Sequence, residues 1–339
     1  MSKLNLIEKL LYFINAVLVA LLLVSYSLSL IPPKTFSTPS ILSLGVPFLI
    51  LVNVLFFLYW LIKLKKHFLT SLFALVIGYV FFGSLYKFSS SKNIENSNNI
   101  NVMNYNVRLF NLYNWIPKEN IDVNISQFIN KQSPDILSVQ EYIPNQKFKV
   151  NYKYKYEFLK GKKIKTGQVI FSKYPIINKG SIQFEKTSNN AIFVDIVKQK
   201  DTIRVYNVHL ESLRVNPNID HLTEEDSERL FKNVGLAFKK QQSQTELFLE
   251  HKKHCPYKMI ICGDFNNTAF SYVYRKIKDN LNDTFKEAGN GFGRTYDFKF
   301  FPIRIDFILA DNNFKVNKFK TFDALYSDHY PIMTALSLD

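Results

Sequence analysis

Charge divides this chain at about residue 90, and that break limits the fold more than any other feature of the sequence. Ahead of it, the charged side chains are seven lysines (Lys3, Lys9, Lys34, Lys63, Lys65, Lys66 and Lys87) and one acid, Glu8. Three runs between them carry no charge: Leu10 to Ile31, Ile41 to Ile62 and Phe68 to Tyr86. A hydrocarbon core takes roughly 20 helical residues to cross, so each run reads as a transmembrane helix. Pro32-Pro33 ends the first, and Lys63-Leu64-Lys65-Lys66 ends the second. A buried helical bundle is the competing reading, but three uncharged runs with lysines confined to their ends are hard to place in water. The first run is too long for a cleaved leader, lacks a small-residue cleavage pattern and has two further runs behind it.

Lysine placement sets an expected topology. Lys3, Lys9, Lys63, Lys65 and Lys66 fall on one side and Lys34 alone on the other, which puts the N-terminus in the cytoplasm and everything after residue 90 outside it. The expectation is therefore a multi-pass protein of the cell (inner) membrane with an extracytoplasmic domain. Residues 1–88 form the anchor, 89–99 a polar tether and 100–339 the folded domain. Asn15, Gly45, Pro47 and Asn53 read as helix contacts, and the absence of ionisable residues inside the runs argues against a transporter.

The remaining residues hold the other 36 basic and 27 acidic side chains. That excess suits an anionic substrate or a bilayer surface, although richness in Lys, Asn, Ile, Phe and Tyr is equally what an A+T-biased gene produces. Two cysteines, Cys255 and Cys262, make no disulfide framework. Strand-like runs recur at 101–107, 135–139, 168–171, 192–197, 203–210, 258–262 and 304–309, with helical patterns at 123–131, 224–251 and near 270–279. Thr223 with Asp226 resembles a capping box for the long middle helix. Many strands with few helices predict packed sheets covered by helices, a layered α/β or α+β domain.

Polar residues end those apolar runs repeatedly: Asn106, Glu141, His209, Asp264 with Asn266, Asp306, and Asp328 with His329. Such groups are costly to desolvate unless paired, metal-bound or catalytic, so several in one chain point to a single convergent site. Carboxylates and an amide oxygen are hard ligands suited to Mg²⁺ or Mn²⁺ rather than to structural zinc. Imidazoles suit proton transfer near neutral pH. Together they fit attack of water on a phosphate ester. With no Gly-rich phosphate loop and no nucleophile elbow, nothing supports covalent acyl chemistry.

Six motifs taken in order resemble the endonuclease/exonuclease/phosphatase superfamily, the DNase I-like group. They are Asn104-Tyr105-Asn106-Val107-Arg108, Gln140-Glu141, Asn207-Val208-His209-Leu210, Gly263-Asp264-Phe265-Asn266, Arg304-Ile305-Asp306-Phe307-Ile308 and Ser327-Asp328-His329-Tyr330-Pro331. The resemblance spans roughly residues 100 to 339 and implies a four-layer α/β/β/α sandwich, here preceded by three transmembrane helices. It implies Glu141 and Asn106 as metal ligands with Asp328 as a second or alternative one. His329 would be the base, oriented by Asp306. Asp264 and Asn266 would hold the nucleophile and phosphate oxygens, and His209 would help protonate the leaving oxygen. Arg108 is open to a phosphate contact or a salt bridge. Arg294, in the glycine-rich loop Gly289 to Arg294, is the favoured phosphate contact of a substrate-gripping lid.

Read alone, Asp306 divides evenly between catalysis and an ion pair with Arg304, and His209 reads as a core histidine; the six-motif context makes both functional. Asn104 reads as structural, and Tyr206 and Asn207 are undecided. The segment Asn151 to Tyr156, with Lys160-Gly161-Lys162-Lys163, alternates like a solvated hairpin, with single-stranded nucleic acid binding as the rival reading. The expected function is a membrane-anchored, Mg²⁺-dependent phosphodiester hydrolase, endonuclease-like. A phospholipid headgroup phosphodiesterase, a phosphomonoesterase and a non-catalytic binding module are the alternatives. Expected partners are an anionic phosphodiester (nucleic acid or phospholipid) and a lipid bilayer; no protein partner is inferred. Specificity is expected from the loops at 145–165, 211–225 and 284–303.

Overall fold

Alternation along the strands decides where everything else sits. In a computed structural model, which describes residues 4–83, 85–88, 92–96, 98–213, 224–298 and 301–338 (the side chains of 224–227 excepted), the chain divides into two units.

The first unit holds residues to Leu85 together with 214–242 and Thr268–Arg275. Helix α1 (Leu6–Leu28) begins at a capping box in which Asn5 Oδ1 accepts from the Glu8 amide and Glu8 accepts from the Asn5 amide. A 3₁₀ turn (Pro39–Gly45) leads into α2 (Val46–Ile62), and α3 (Phe68–Phe82) follows. Leu6–Leu28 and Pro39–Ile62 are each long and apolar enough to cross a membrane. The third expected span is not: α3 has 15 residues, about 22 Å of helix against a core of about 30 Å. Gly83, at φ 77°, stops it before Tyr86. The Asn15 amide donates to Ser71 Oγ at 2.7 Å, and Ser71 Oγ to Asn53 Oδ1 at 3.4 Å, so buried polar groups join all three helices. Outward, Phe13, Phe48, Leu55, Phe73 and Val80 are all exposed. Phe270 packs in the same cluster as Leu22, Tyr26 and Ala74.

The second unit holds Tyr86–Leu213, Ser243–Asn267 and Lys276–Asp339. Its twelve described strands are β1 (Ile100–Asn106), β2 (Ile136–Tyr142), β3 (Tyr154–Lys160), β4 (Thr166–Ser172), β5 (Ile176–Gln183), β6 (Asn190–Lys198), β7 (Asp201–His209), β8 (Lys258–Asp264), β9 (Asn282–Asp283), β10 (Asp306–Ala310), β11 (Phe314–Thr321) and β12 (Ile332–Leu338). Four helices accompany them: α4 (Ile121–Gln132), α5 (Glu224–Lys253), α6 (Tyr272–Lys278) and α7 (Thr284–Ala288), with α5 and α6 each running from one unit into the other. One sheet has the order β11-β12-β1-β2-β4-β3 and the other β5-β6-β7-β8-β10-β9.

Every second residue of the central strands faces the other sheet. Ile100, Val102 and Ile136 meet Val205, Ile203, Ile260, Cys262 and Ile308 there. On the outer face of the first sheet, Met103, Tyr105, Leu137 and Val139 pack against Ile121, Ile125 and Ile129 of α4. Against the second, Phe248 and His251 at the end of α5 pack on Tyr206. That is the expected α/β/β/α layering. Following the inward positions toward the strand ends, the apolar residues give way to Asn104, Ser138, Gln140, Gln168 and Asn207, all buried, and then to Asn106, Asp264, Asp306 and His209.

Of the expected tether, Ser89–Ser91 and Ser97 lie outside the described residues, as do 214–223 of the expected loop at 211–225 and Thr223 of the expected capping box. The described remainder of the tether lies against the domain, Ile94 donating its amide to Asn317 O at 3.0 Å. β3 and β4 form the hairpin expected around Lys160 to Lys163, with β3 at the sheet edge.

Candidate active site

Strand register assembles the centre. β7 and β8 run parallel with His209 opposite Asp264, and β8 and β10 run antiparallel with Asp264 opposite Asp306. His209, Asp264 and Asp306 therefore stand in a row across the end of one sheet. In the other sheet, Asn106 pairs with Gln140, so Glu141 falls one residue beyond the pairing. Glu141 takes φ 50° at a break in the β2–β4 register, and Asn266 takes φ 48° just past β8. Left-handed backbone at two such non-glycine positions is the kind of local strain that concentrates at functional sites. Gly263 is dictated by closeness: a Cβ there would lie 2.0 Å from the Val208 carbonyl oxygen across the β7–β8 pairing.

Asp264 Oδ2 is the hub. The Asn106 amide donates to it at 3.0 Å and the Asn266 amide at 3.3 Å, while Nε2 of His209 and Nε2 of His329 each lie 3.7 Å away. Asn106 also donates to Glu141 Oε1 at 3.4 Å. Behind His329, its Nδ1 meets Asp306 Oδ2 at 2.8 Å, both side chains being buried. As the six-motif context leads one to expect, Asp306 serves the imidazole, while Arg304, its alternative partner when Asp306 is read alone, pairs with buried Asp283 at 2.8 Å. Thr295 Oγ1 accepts from the backbone amides of both Ile305 and Asp306, pinning the start of β10, and the Tyr296 ring sits 5.0 Å from that of His329.

The electrostatics follow from crowding in a dry place. Burial opposes a charged His329, but Asp306 and Asp264 overcome it and hold the imidazole protonated up to about 10. Burial and the positive His329 push His209 down to about 3, so it is neutral at pH 7. Asp264 is lifted to about 7, chiefly by burial and against the pull of His329. Loss of water also raises Glu141, partly offset by His329 and reinforced by Asp328.

Not every expected residue joins this centre. Asp328 is held by Arg108 at 3.2 Å and by the Ser327 hydroxyl at 3.3 Å. Arg108 thus takes the salt-bridge alternative, with its guanidinium 4.4 Å over the Trp115 ring. Arg294 departs furthest from expectation: it bonds Asp297 and the Tyr330 hydroxyl and stacks on the Tyr330 ring at 4.5 Å, so its donors are engaged by its own loop and by Tyr330. Sequence reasoning gave no role to Gln140 or Thr295 and left Asn207 undecided. For Gln140 and Asn207 the period-2 alternation was the available signal; Thr295 lies in a loop with none.

Metal-binding capacity rests on the donor set. Among the described residues, Asp264, Asp306 and His329 place ligand atoms within 4.8 Å of one another. Because Asp306 Oδ2 and His329 Nδ1 already satisfy each other, that trio reads as an imidazole–carboxylate pair beside Asp264 rather than as a cation cage. Glu141 and Asp264 offer a second arrangement of hard carboxylate oxygens, both with pKa raised chiefly by burial. Asn106 turns its amide nitrogen to them while its Oδ1 accepts from the Arg108 backbone amide at 3.0 Å, so it would offer its oxygen only with its side-chain amide turned over. These residues fit a hard divalent cation.

The profile of the Endonuclease/Exonuclease/phosphatase family matches residues 103–329, and one described as Domain of unknown function (DUF8431) matches residues 8–85. No curated protein sequence matches the chain. Among solved structures, the human Nocturnin catalytic domain with bound sulfate is similar at 17% identity and TM-score 0.52, over 71% of this chain and 94% of that one. D. rerio TDP2 complexed with single strand DNA product is similar at 16% and 0.53, over 71% and 100%. The Bacteroides thetaiotaomicron mannosyl-6-phosphatase Bt3783 is similar at 16% and 0.50, over 70% and 100%. At these identities the likeness concerns the fold. The family profile spans most of the chain and both ends of the centre, so the protein belongs to the Endonuclease/Exonuclease/phosphatase family.

Proposed function

We propose that this protein is a membrane-anchored, Mg²⁺-dependent phosphodiester hydrolase of endonuclease type. The observation that carries this reading is the convergence on Asp264 Oδ2 of two imidazole Nε2 atoms and two amides, with a carboxylate behind one imidazole. Asp306 orients His329 through Nδ1, so that when the imidazole gives up its second proton it keeps the one at Nδ1 and presents a bare Nε2 to a water held by Asp264. Asn266, whose amide also donates to Leu210 O at 3.1 Å, keeps Asp264 oriented. Neutral His209 donates a hydrogen bond to a phosphate oxygen or the leaving oxygen. Glu141 and Asn106 would hold Mg²⁺ (or Mn²⁺), with Asp328 nearby, and the cation would supply positive charge to the phosphate oxygens. Arg108, beside Asp328, extends the positive rim.

Two apolar helices of crossing length favour a bilayer anchor, and with it a second reading in which the phosphodiester is a phospholipid headgroup. The extracytoplasmic site expected from three runs requires α3 to cross as well; with α1 and α2 alone crossing, lysine placement keeps the catalytic unit on the cytoplasmic side. The similar structures include a protein bound to single strand DNA product and a sugar phosphatase, so substrate class is the open variable. Purified full-length protein in detergent, given supercoiled plasmid and Mg²⁺, should nick it, and Glu141→Gln should not. Absence of nicking together with release of headgroup phosphate from vesicles would select the lipid reading.

A further inference from the structure

We infer that Asn104 is a positioning residue for the Asp306–His329 pair, set in place by a relay of buried amides that begins at backbone carbonyls of its own sheet and passes through Asn207 of the other. Like the mechanism it serves, this inference rests on the reading given under Proposed function. The amide directions follow stepwise from fixed groups. The Asn207 amide nitrogen donates to Val139 O at 2.9 Å and Val169 O at 3.3 Å, and carbonyls accept only, so Asn207 Oδ1 must point the other way. There it accepts from Gln140 Nε2 at 2.7 Å and Gln168 Nε2 at 2.9 Å. Gln140 Nε2 donates its other hydrogen to Asn104 Oδ1 at 2.7 Å. Turning Gln140 over would set its oxygen against those of Asn104 and Asn207. With its oxygen engaged, Asn104 can present only N–H to its remaining neighbour, Asp306 Oδ1, at 3.5 Å.

Asp306 therefore has His329 on one oxygen and a fixed donor on the other. Asn104, Gln140, Gln168 and Asn207 are all at most 1% exposed, so water has no access to replace a lost donor. The same N–H distinguishes the two oxygens of Asp306 and holds Oδ2 toward the imidazole.

The test uses full-length protein in detergent carrying Asn104→Leu, Gln140→Leu, both together, or Ser138→Ala, a control that touches the relay only through a 3.3 Å contact with Gln140. Asn104→Leu should lower kcat about tenfold or more on a chromogenic phosphodiester with KM unchanged. The double variant should be no slower than Asn104→Leu alone, because Gln140 acts through Asn104. Ser138→Ala should keep wild-type kcat. Independently of turnover, the Nδ1 proton resonance of His329, identified by its loss in His329→Gln, should move in Asn104→Leu and in Gln140→Leu. An unmoved resonance in both, or unchanged kcat in a folded Asn104→Leu, would overturn the inference. If wild type cleaves nothing, the functional reading fails while the resonance still decides the inference. If Asn104→Leu does not fold, Gln140→Leu decides it.

Discussion

Replacing Asp306 by Asn removes one charge and almost no volume, and its consequences can be worked through from the site. Asp306 Oδ2 lies 2.8 Å from His329 Nδ1, with both residues at most 5% exposed. Unit charges about 4 Å apart at an effective dielectric of about 20 interact by about 4 kcal/mol. At 1.36 kcal/mol per pKa unit, this corresponds to about three units, so His329, now held up to about 10, should fall by roughly that amount. The tautomer should change as well. Asn104 donates to the other oxygen position, so the new side chain should keep its carbonyl there and turn its NH₂ toward His329 Nδ1. A neutral imidazole would then carry its proton on Nε2, where it cannot take one from water. Loss of the correct tautomer in an imidazole–carboxylate pair costs about 10⁴-fold, or about 5.5 kcal/mol. Initial rates on a chromogenic phosphodiester with Mg²⁺ should therefore show kcat down by about 10³ to 10⁴ and KM little changed. An Asp306→Asn protein that folds and keeps kcat within tenfold of wild type would refute the reasoning.

The remaining predictions concern the cation, the acid limb, the strand crossing and a buried pair. Mg²⁺ at about one hundred times its Kd should stabilise the protein by about 2.7 kcal/mol, and Glu141→Gln should abolish the rise in melting temperature. His209 has a folded pKa near 3, below its ordinary 6.5, so no penalty exists above pH 6.5. Below that the unfolded chain takes up a proton that the folded one refuses. Wild type should lose about 1.4 kcal/mol per pH unit relative to His209→Asn from pH 6.5 downward, read from denaturant midpoints; parallel curves would contradict the assignment. Gly263→Ala drives a methyl into the Val208 carbonyl and should cost about 3 kcal/mol in thermal unfolding. Removing Arg304 as Arg304→Ala leaves Asp283 charged and 2% exposed, and should cost about 3–5 kcal/mol by the same measurement.

Much of the second unit is legible because one period governs both core and chemistry. Ile100 and Val102 are inward positions of β1, so Asn104 and Asn106 at the same spacing must be inward too; Ile203, Val205, Asn207 and His209 repeat the pattern in β7. A polar residue that continues an apolar alternation is either satisfied by a partner across the gap or part of the site, and these strands contain both kinds. The alternation cannot say which partner an amide finds, which is why Asn104 and Asn207 read as structural or undecided. Loop geometry has no period at all. Arg294 reads in sequence as a phosphate contact, yet Asp297 three residues on and Tyr330 from another segment take up its donors. Uncharged length overstated the third apolar run, because a single glycine at φ 77° ends α3 four residues short of Tyr86.

The central claim, that the convergence on Asp264 cleaves phosphodiesters with a divalent cation, is tested most directly by one comparison. Full-length protein in detergent would be incubated with supercoiled plasmid or phospholipid vesicles, with Mg²⁺ or with chelator, alongside Glu141→Gln and His329→Ala. The account predicts cleavage of one of these substrates by wild type with Mg²⁺, lost with chelator and in both variants. Cleavage that persists in folded Glu141→Gln and His329→Ala would contradict it.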